Sequence, residues 1–440
     1  MKSDRVVSVA IVGGGASGTI LAAQLARRGI ASILIDGSGR IGRGVAYSTT
    51  EPAHLLNVRA DGMSAMAGEP EHFADWFEAR GGNRAGFAQR RLFANYLAEL
   101  LDEAVGSGCT ELSHSTVVTA ARGEDWRIEL DNGQSIAARA LVLALGNQPP
   151  GGLRAFDQAG PNYIANPWGA RASAAVRDSA ENGGRVLLVG TGLTMIDLVL
   201  SLEAAGHDGQ VVAISRRGQI PRAHGDYDPS PVAAGELPSG NLRDMLRWVR
   251  RRSVVAGWRA AVDSLRPHSH PLWQSLSADE QKRFLRHARP YWDVHRHRIA
   301  PEVSNIVARL IAAGSLEIIS GRIVAADAAE EGINVTYRRR GEEESRTARF
   351  DYVFNCTGPL HSIERTNDRL VRSLLNAGEV RPDHLGIGLE VDERARATPG
   401  QRLWALGPLT KGRYWEIVAV PDIREQAAQV ADDIAQELAG

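Results

Sequence analysis

Residues Val6–Val12 form an apolar, β-branched run that passes directly into Gly13-Gly14-Gly15-Ala16-Ser17-Gly18. A helical pattern follows, with Ile20, Leu21 and Leu25 on one side, Arg27 and Arg28 near its end and Gly29 as a stop signal. The next apolar run, Ile33-Leu34-Ile35, closes in Asp36. Few arrangements satisfy all of this at once. The run reads as a buried strand, and the glycines fit G-x-G-x-x-G at Gly13, Gly15 and Gly18. An acid lies about 20 residues beyond. In a strand–turn–helix–strand unit these glycines bring bare backbone and a helix N-terminus up to a pyrophosphate. The acid takes a ribose hydroxyl. The sequence therefore predicts a dinucleotide cradle at Gly13, Gly15, Ala16, Ser17, Gly18 and Asp36.

A second fingerprint begins at Val186-Leu187-Leu188-Val189 and continues Gly190-Thr191-Gly192-Leu193-Thr194-Met195. Met195 replaces the third glycine, which should hold the helix further from the strand. Its second strand, Val211 to Ile214, ends in Ser215-Arg216-Arg217 where the first unit has Asp36. Two guanidiniums without an opposing carboxylate suit a ribose phosphate, so this cradle predicts NADPH rather than NADH. A solvated loop is the alternative for Arg216 and Arg217.

Each fingerprint precedes a β-meander and a strand ending in glycine. In the first half these are Thr116 to Thr119, Trp126 to Leu130 around Asp131-Asn132-Gly133, and Ala140 to Gly146. In the second they are Leu316 to Ile319, Ile333 to Tyr337, and Asp351 to Gly358. The repeated order predicts a duplicated α/β architecture: two Rossmann-like dinucleotide-binding domains with a helical insertion over 236–313. Residues 1–160 and 359–440 form the first domain in this reading, 161–358 the second, with a linker at Gln148 to Gly152.

Between the motifs, the loop 37–44 and the segment 54–58 place Arg43 and Asn57 to hold phosphate or ribityl oxygens, with a solvated loop as the alternative for Arg43. His54 reads as a hydrogen-bonded core histidine. Residues 70–105 read as helices whose aromatic stripes face the core, and Arg90 and Arg91 are open to either a phosphate or a surface role. His295 and His297, two apart, fall on different sides of a helix, which disfavours a metal site. The segment 244–252 reads as a basic, solvated helix face. The tail ends in a helix opened by Pro421 and Asp422.

The formal net charge of -1 gives no electrostatic case for nucleic acid or an anionic membrane. Cys109 and Cys356 form no C-x-x-C, which argues against a disulfide relay and fits a reducing cytoplasm. No 18-residue apolar run occurs, so no membrane span is expected.

With both fingerprints placed, the chain resembles the two-dinucleotide-binding flavoproteins, a group that takes in glutathione-reductase-like enzymes, flavin monooxygenases and ornithine N-hydroxylases. It resembles the bacterial FAD-NAD(P)-binding protein family more closely. The stretches that carry this likeness are Gly42 to Tyr47, His54 to Val58, Gly190 to Asp197, Ser215 to Gly218 and Arg413 to Glu416. The resemblance implies FAD at the first fingerprint and NADPH at the second. It adds Val118, Gly146, Gly358, Gly407 and Trp415 to the expected cofactor-binding residues. Pro408 occupies the place of a carboxylate that holds the ribityl chain in many relatives, so that role is not carried over. One branch of the family is associated with urate hydroxylation, and no residue here selects urate.

The implied function is an NADPH-using, FAD-dependent monooxygenase that hydroxylates a small organic molecule with O2 through an oxygenated flavin. The helical insert and the 150–170 region, including Trp168, would wall the substrate site. Two alternatives stay open: a reductase or electron-transfer flavoprotein, and a non-catalytic NADPH sensor binding a partner through residues 244–252. The sequence names no general base and no oligomeric state.

Overall fold

The strands fall into two sheets whose order follows the duplicated pattern. The computed structural model describes residues 6–238, 240–360, 362–398 and 402–440. In chain order the strands are β1 (Val6–Val12), β2 (Ser32–Ile35), β3 (Thr110–Ser113), β4 (Val117–Arg122), β5 (Trp126–Leu130) and β6 (Ser135–Leu143). Then come β7 (Tyr163–Ile164), β8 (Val186–Val189), β9 (Val211–Ser215), β10 (Leu316–Ala328) and β11 (Ile333–Arg339). The last four are β12 (Arg346–Phe350), β13 (Tyr352–Asn355), β14 (Arg396–Thr398) and β15 (Leu403–Ala405). Among the described residues the first sheet runs β14-β15-β6-β1-β2-β3, with β4 and β5 attached through β6, and the second runs β12-β11-β10-β9-β8-β13-β7.

In each sheet the strand before the glycines lies between two parallel neighbours: β1 between β2 and β6, and β8 between β9 and β13. Such strands are covered on both faces, which explains their continuous apolar runs. Along β1, Val9 and Ile11 point into one core while Ala10 and Val12 point into the other, as the two-residue pleat requires. The first core is closed by helices Ala16–Arg27, Arg90–Gly106 and Val420–Ala439, through Ile20, Leu25, Phe93, Leu97, Ile423 and Val430. The second is closed by the meander residues Trp126 and Ile128 and by helix Arg369–Ala377. The second sheet repeats the scheme, with helices Ala170–Asn182, Leu193–Ala204 and Pro301–Ala312 on one face and the β11–β12 ribbon on the other.

Three sequence expectations shift. A strand at Thr110–Ser113, absent from that reading, pairs in parallel with β2. Its counterpart in the second half is the start of β10, which runs beside β9 and then continues without interruption into the antiparallel ribbon with β11. Polar residues at Thr110, Glu111 and Ser113 hid the short strand. Helix Pro301–Ala312 does not belong to the insertion: Val303 and Val307 are buried in the second sheet's own core. Before it, 236–300 holds helices Leu242–Asp263, Ser269–Ser275, Ala278–Arg283 and Arg289–Arg296.

The two halves meet through named bonds. Arg90 forms a two-pronged ion pair with Asp197, at 2.8 and 2.9 Å, and its Nε donates to the Leu55 carbonyl. Buried His54 donates from Nε2 to the Asp197 carbonyl at 2.9 Å. His224 Nε2 donates to the Asn57 carbonyl at 3.0 Å, and burial lowers the His224 pKa to about 4. Among described residues no helix is long and apolar enough to cross a membrane.

Candidate functional site: two glycine cradles and an aromatic cleft

The first cradle is shaped by glycines that do different jobs. Gly13 has φ +106°, and a Cβ there would stand 2.4 Å from the Ala144 carbonyl oxygen. At Gly18 a Cβ would stand 1.9 Å from the Gly13 oxygen. These two positions let the helix and strands close on each other. Gly15 differs: its φ is -75°, and the nearest atom to an added Cβ is Gly44 Cα at an ordinary 3.5 Å. A Cβ at Gly15 would thus meet the protein's own atoms only at ordinary contact distance.

Helix Ala16–Arg27 begins at Gly15 with no side chain capping it and no acid in its first turn. Its first amide donors and the positive end of its dipole therefore face an open position suited to an anion. Asp36 sits behind the turn, where its Oδ2 accepts from Gly14 N at 2.7 Å and its Oδ1 from Ser38 N at 2.7 Å. Each oxygen keeps a lone pair for a ribose hydroxyl.

The other expected residues take the following places. Ser17 lies against Gly407, whose φ is +67° and whose added Cβ would meet Ser17 Oγ at 2.8 Å. Arg43 is exposed and its side chain has no partner among the described residues. Asn57 is half-buried, with its carbonyl engaged by His224. Val118 falls at a register shift of the β4–β5 ladder between Val117 and Thr119. Gly146, at φ +65° beyond β6, lines a small pocket with Asn147, Gln148, Pro408 and Lys411. Arg90, left open to a phosphate by the sequence, is spent on Asp197 instead.

The second cradle repeats the first with one substitution. Gly190 has φ +119°, and a Cβ would stand 2.3 Å from the Cys356 oxygen, as Gly13 does to Ala144. Gly192 caps helix Leu193–Ala204 without a side-chain hydrogen bond, is exposed, and has nothing within 4 Å of an added Cβ. Leu193 and Thr194 supply the first helical amides and are half-buried. Met195, in the third glycine's place, is fully buried in the core. The turn is fixed by Thr191, whose hydroxyl lies 2.8 Å from Ser215 Oγ, and by Gly218 N donating to Ser215 Oγ at 3.0 Å. Beyond Ser215, Arg216 is exposed and Arg217 half-buried with its guanidinium 4.9 Å from the Tyr291 ring centre. Neither side chain has a carboxylate partner among the described residues. Gly358, at φ +87° past β13, has open space on its Cβ side, like Gly146 past β6.

Trp415 packs against residues of the insertion. Its ring stacks on Trp273 at 4.9 Å and meets Phe284 edge-on at 5.3 Å, in the wall of an open cleft built mainly by the insertion. Residues 150–170, Trp168 included, contribute nothing to that wall.

Two residues next to these sites were given no role by the sequence. Glu416 is buried at φ +79°, a left-handed conformation costly for a side-chain-bearing residue. It accepts from Trp292 Nε1 at 2.7 Å and faces Arg296 and His297. Burial works to raise its pKa, but the His297 and Arg296 charges with the Trp292 bond outweigh it and hold the carboxyl at about 2. Lys411, in the Gly146 pocket, is lowered to about 8 by burial and by the nearby Arg289 charge. A positive charge thus stands close to the place where Pro408 removes the relatives' carboxylate. Neither signal is local: each depends on partners more than 100 residues away.

The comparisons with known proteins agree with this arrangement. Residues 10–148 match the profile of the FAD-NAD(P)-binding family. A Baeyer-Villiger monooxygenase from Streptomyces coelicolor is 28% identical over 217 residues, 46% of this chain. That match spans about a third of the relative's length, 34%. Among solved structures, the reduced ornithine hydroxylase of Pseudomonas aeruginosa aligns with TM-score 0.68 and 17% identity, over 99% of this chain and 100% of that one. Kutzneria sp. 744 ornithine N-hydroxylase, solved with reduced FAD, NADP+ and L-ornithine, aligns with TM-score 0.68 and 18% identity over the same shares. The chain has the two-dinucleotide-binding fold of the flavin monooxygenase-like proteins, and its first cradle lies in the part that matches the FAD-NAD(P)-binding family.

Proposed function

We propose that this protein is an NADPH-dependent flavin monooxygenase that hydroxylates a small organic molecule. The observation that carries the proposal is the pair of uncapped, glycine-lined helix N-termini at the carboxyl ends of parallel strands β1 and β8. One has an acid at the end of its second strand and the other has two unpaired arginines. Ligands of open α/β sheets bind at such strand ends.

In this reading 1–160 with 359–440 holds FAD and 161–358 holds NADPH. The amides of Ala16, Ser17 and Gly18 receive the FAD pyrophosphate, Asp36 takes the adenosine ribose, and the off-ladder backbone of Val118 meets the adenine. Arg43, Asn57, Gly146 and Gly407 surround the remainder of the FAD. Gly190, Gly192, Leu193 and Thr194 receive the NADPH pyrophosphate, and Arg216 and Arg217 its ribose phosphate. When bound, the flavin supplies hydride acceptance from NADPH and activation of O2.

The overall balance is substrate, O2, NADPH and a proton giving hydroxylated product, NADP+ and water. The chain's own contribution is placement: the Arg90–Asp197 and His224–Asn57 contacts hold the two cradles in one relative orientation. Paired free cysteines in a relay are not part of this reading, and we place the protein in the cytoplasm.

The test is labelled oxygen. Purified protein with FAD, NADPH and 18O2 should place one 18O atom in product for each substrate-stimulated NADPH consumed. Rapid reduction of a quinone or ferric acceptor under anaerobic conditions, with no labelled product from any substrate, would favour the reductase alternative.

A further inference from the structure

The cleft between the insertion and the tail has walls of one chemical kind. Its aromatic surfaces are Trp248, Trp273, Phe284, Trp292 and Trp415, and aliphatic side chains, among them Met245 and Leu246, complete it. Among the described residues no charged side chain lines it, and Ser269 supplies the one hydroxyl. The polar atoms of these walls are mostly engaged elsewhere. Ser269 donates to the Leu265 carbonyl, Trp273 Nε1 to the Gly412 carbonyl at 2.8 Å, and Trp292 Nε1 to Glu416 at 2.7 Å. The Trp415 indole N–H is buried and has no acceptor.

The cleft is also tied to the cradles. A single loop runs from Gly407, which lies against Ser17 at the first helix N-terminus, through Pro408 and Lys411 in the Gly146 pocket, to Trp415 in the cleft wall. Trp273 is bonded to that loop at Gly412.

We infer that this cleft is the substrate site and that it selects an uncharged, largely aromatic molecule. An ammonium placed there would lose its hydration beside walls with no described acid, with the Arg252 and Arg289 guanidiniums already 5.4 and 5.8 Å from the Trp248 and Trp415 rings, which strongly opposes binding. A flat apolar ring loses little and packs against indole and phenyl faces. The inference rests on the monooxygenase reading for what becomes of the ligand, but the choice of ligand comes from the cleft alone.

The experiment uses the FAD-loaded protein and titration calorimetry with three probes: 2-acetylnaphthalene, L-ornithine and urate. The naphthyl ketone should bind with micromolar affinity, and the two charged molecules should show no saturable heat at millimolar concentration. Leu246 is partly exposed at the mouth, so Leu246→Asp should fold, with unchanged circular dichroism and flavin content, and bind the ketone at least tenfold more weakly. Met245→Asp should do the same. Saturation by ornithine or urate at or above the ketone's affinity, or equal ketone binding by both variants, would overturn the assignment. The two readings fail separately. Ketone binding that the aspartates weaken, with no label incorporated from 18O2, supports the cleft assignment while sinking the monooxygenase. Labelled product from ornithine or urate with the ketone ignored overturns the cleft assignment and leaves the monooxygenase standing.

Discussion

Replacing Arg216 and Arg217 by alanine should separate NADPH from NADH. Both guanidiniums follow β9, where the first half has Asp36, and neither meets a carboxylate. A hydrogen bond to a charged group contributes about 1.5–3 kcal/mol. Arg216 is exposed, and solvent screening places it nearer ~1 kcal/mol. Arg217 is half-buried and supported on the Tyr291 ring, so ~2 kcal/mol is reasonable. Together they come to about 3 kcal/mol, or roughly a hundredfold in affinity at ~1.4 kcal/mol per factor of ten. NADH lacks the phosphate and should change by less than about threefold on the same scale. The assay is anaerobic flavin reduction by each nucleotide in a stopped-flow instrument, with the apparent Kd taken from the concentration dependence. Equal losses for NADPH and NADH would show that the arginines shape the loop rather than bind the phosphate, and would remove the argument for NADPH.

Further outcomes follow from other parts of the structure. Gly15→Val should leave the protein folded but without FAD, because an added Cβ makes only ordinary 3.5 Å contact with Gly44 Cα while filling the approach to the helix N-terminus, whereas Gly18→Val should fail to fold against the Gly13 oxygen 1.9 Å away. A folded, fully yellow Gly15→Val protein would contradict the cradle. Asp197→Asn should lower stability by about 3 kcal/mol by stranding the Arg90 charge between the halves, and an unchanged urea midpoint would count against that coupling. The Glu416 carboxyl is held at about 2 against an ordinary 4.5. A depressed pKa adds stability that is present above the unfolded value and lost as pH falls toward the folded one. The thermal midpoint should thus drop between about pH 4.5 and 2, with ~3 kcal/mol at stake. Glu416→Gln should flatten that drop, and an identical acid profile for the variant would refute the assignment.

What the sequence revealed and what it hid divide along physical lines. The cradles were legible because their constraints are local: a buried strand, a turn that only glycine can make, and an uncapped helix start all lie within about 20 residues. The duplication made the two sheets legible for the same reason. Thr110–Ser113 was hidden because an edge strand with two exposed side chains carries no apolar run. Arg90 illustrates the opposite limit. Its charge was visible, but whether it met a phosphate or Asp197 depends on a partner 107 positions away. Trp415 belonged to a motif that resembles a cofactor-binding family, but its ring is claimed by Trp273 and Phe284 of the insertion. The strained backbone of Glu416 leaves no mark on composition or periodicity at all.

The central claim is that the two cradles hold FAD and NADPH close enough for hydride transfer. Anaerobic titration of the purified, FAD-supplemented chain with NADPH tests it most directly. The account predicts one tightly held flavin per chain and its complete two-electron bleaching by one equivalent of NADPH. A folded chain that stays colourless after incubation with FAD, or a bound flavin that NADPH cannot bleach, would contradict it.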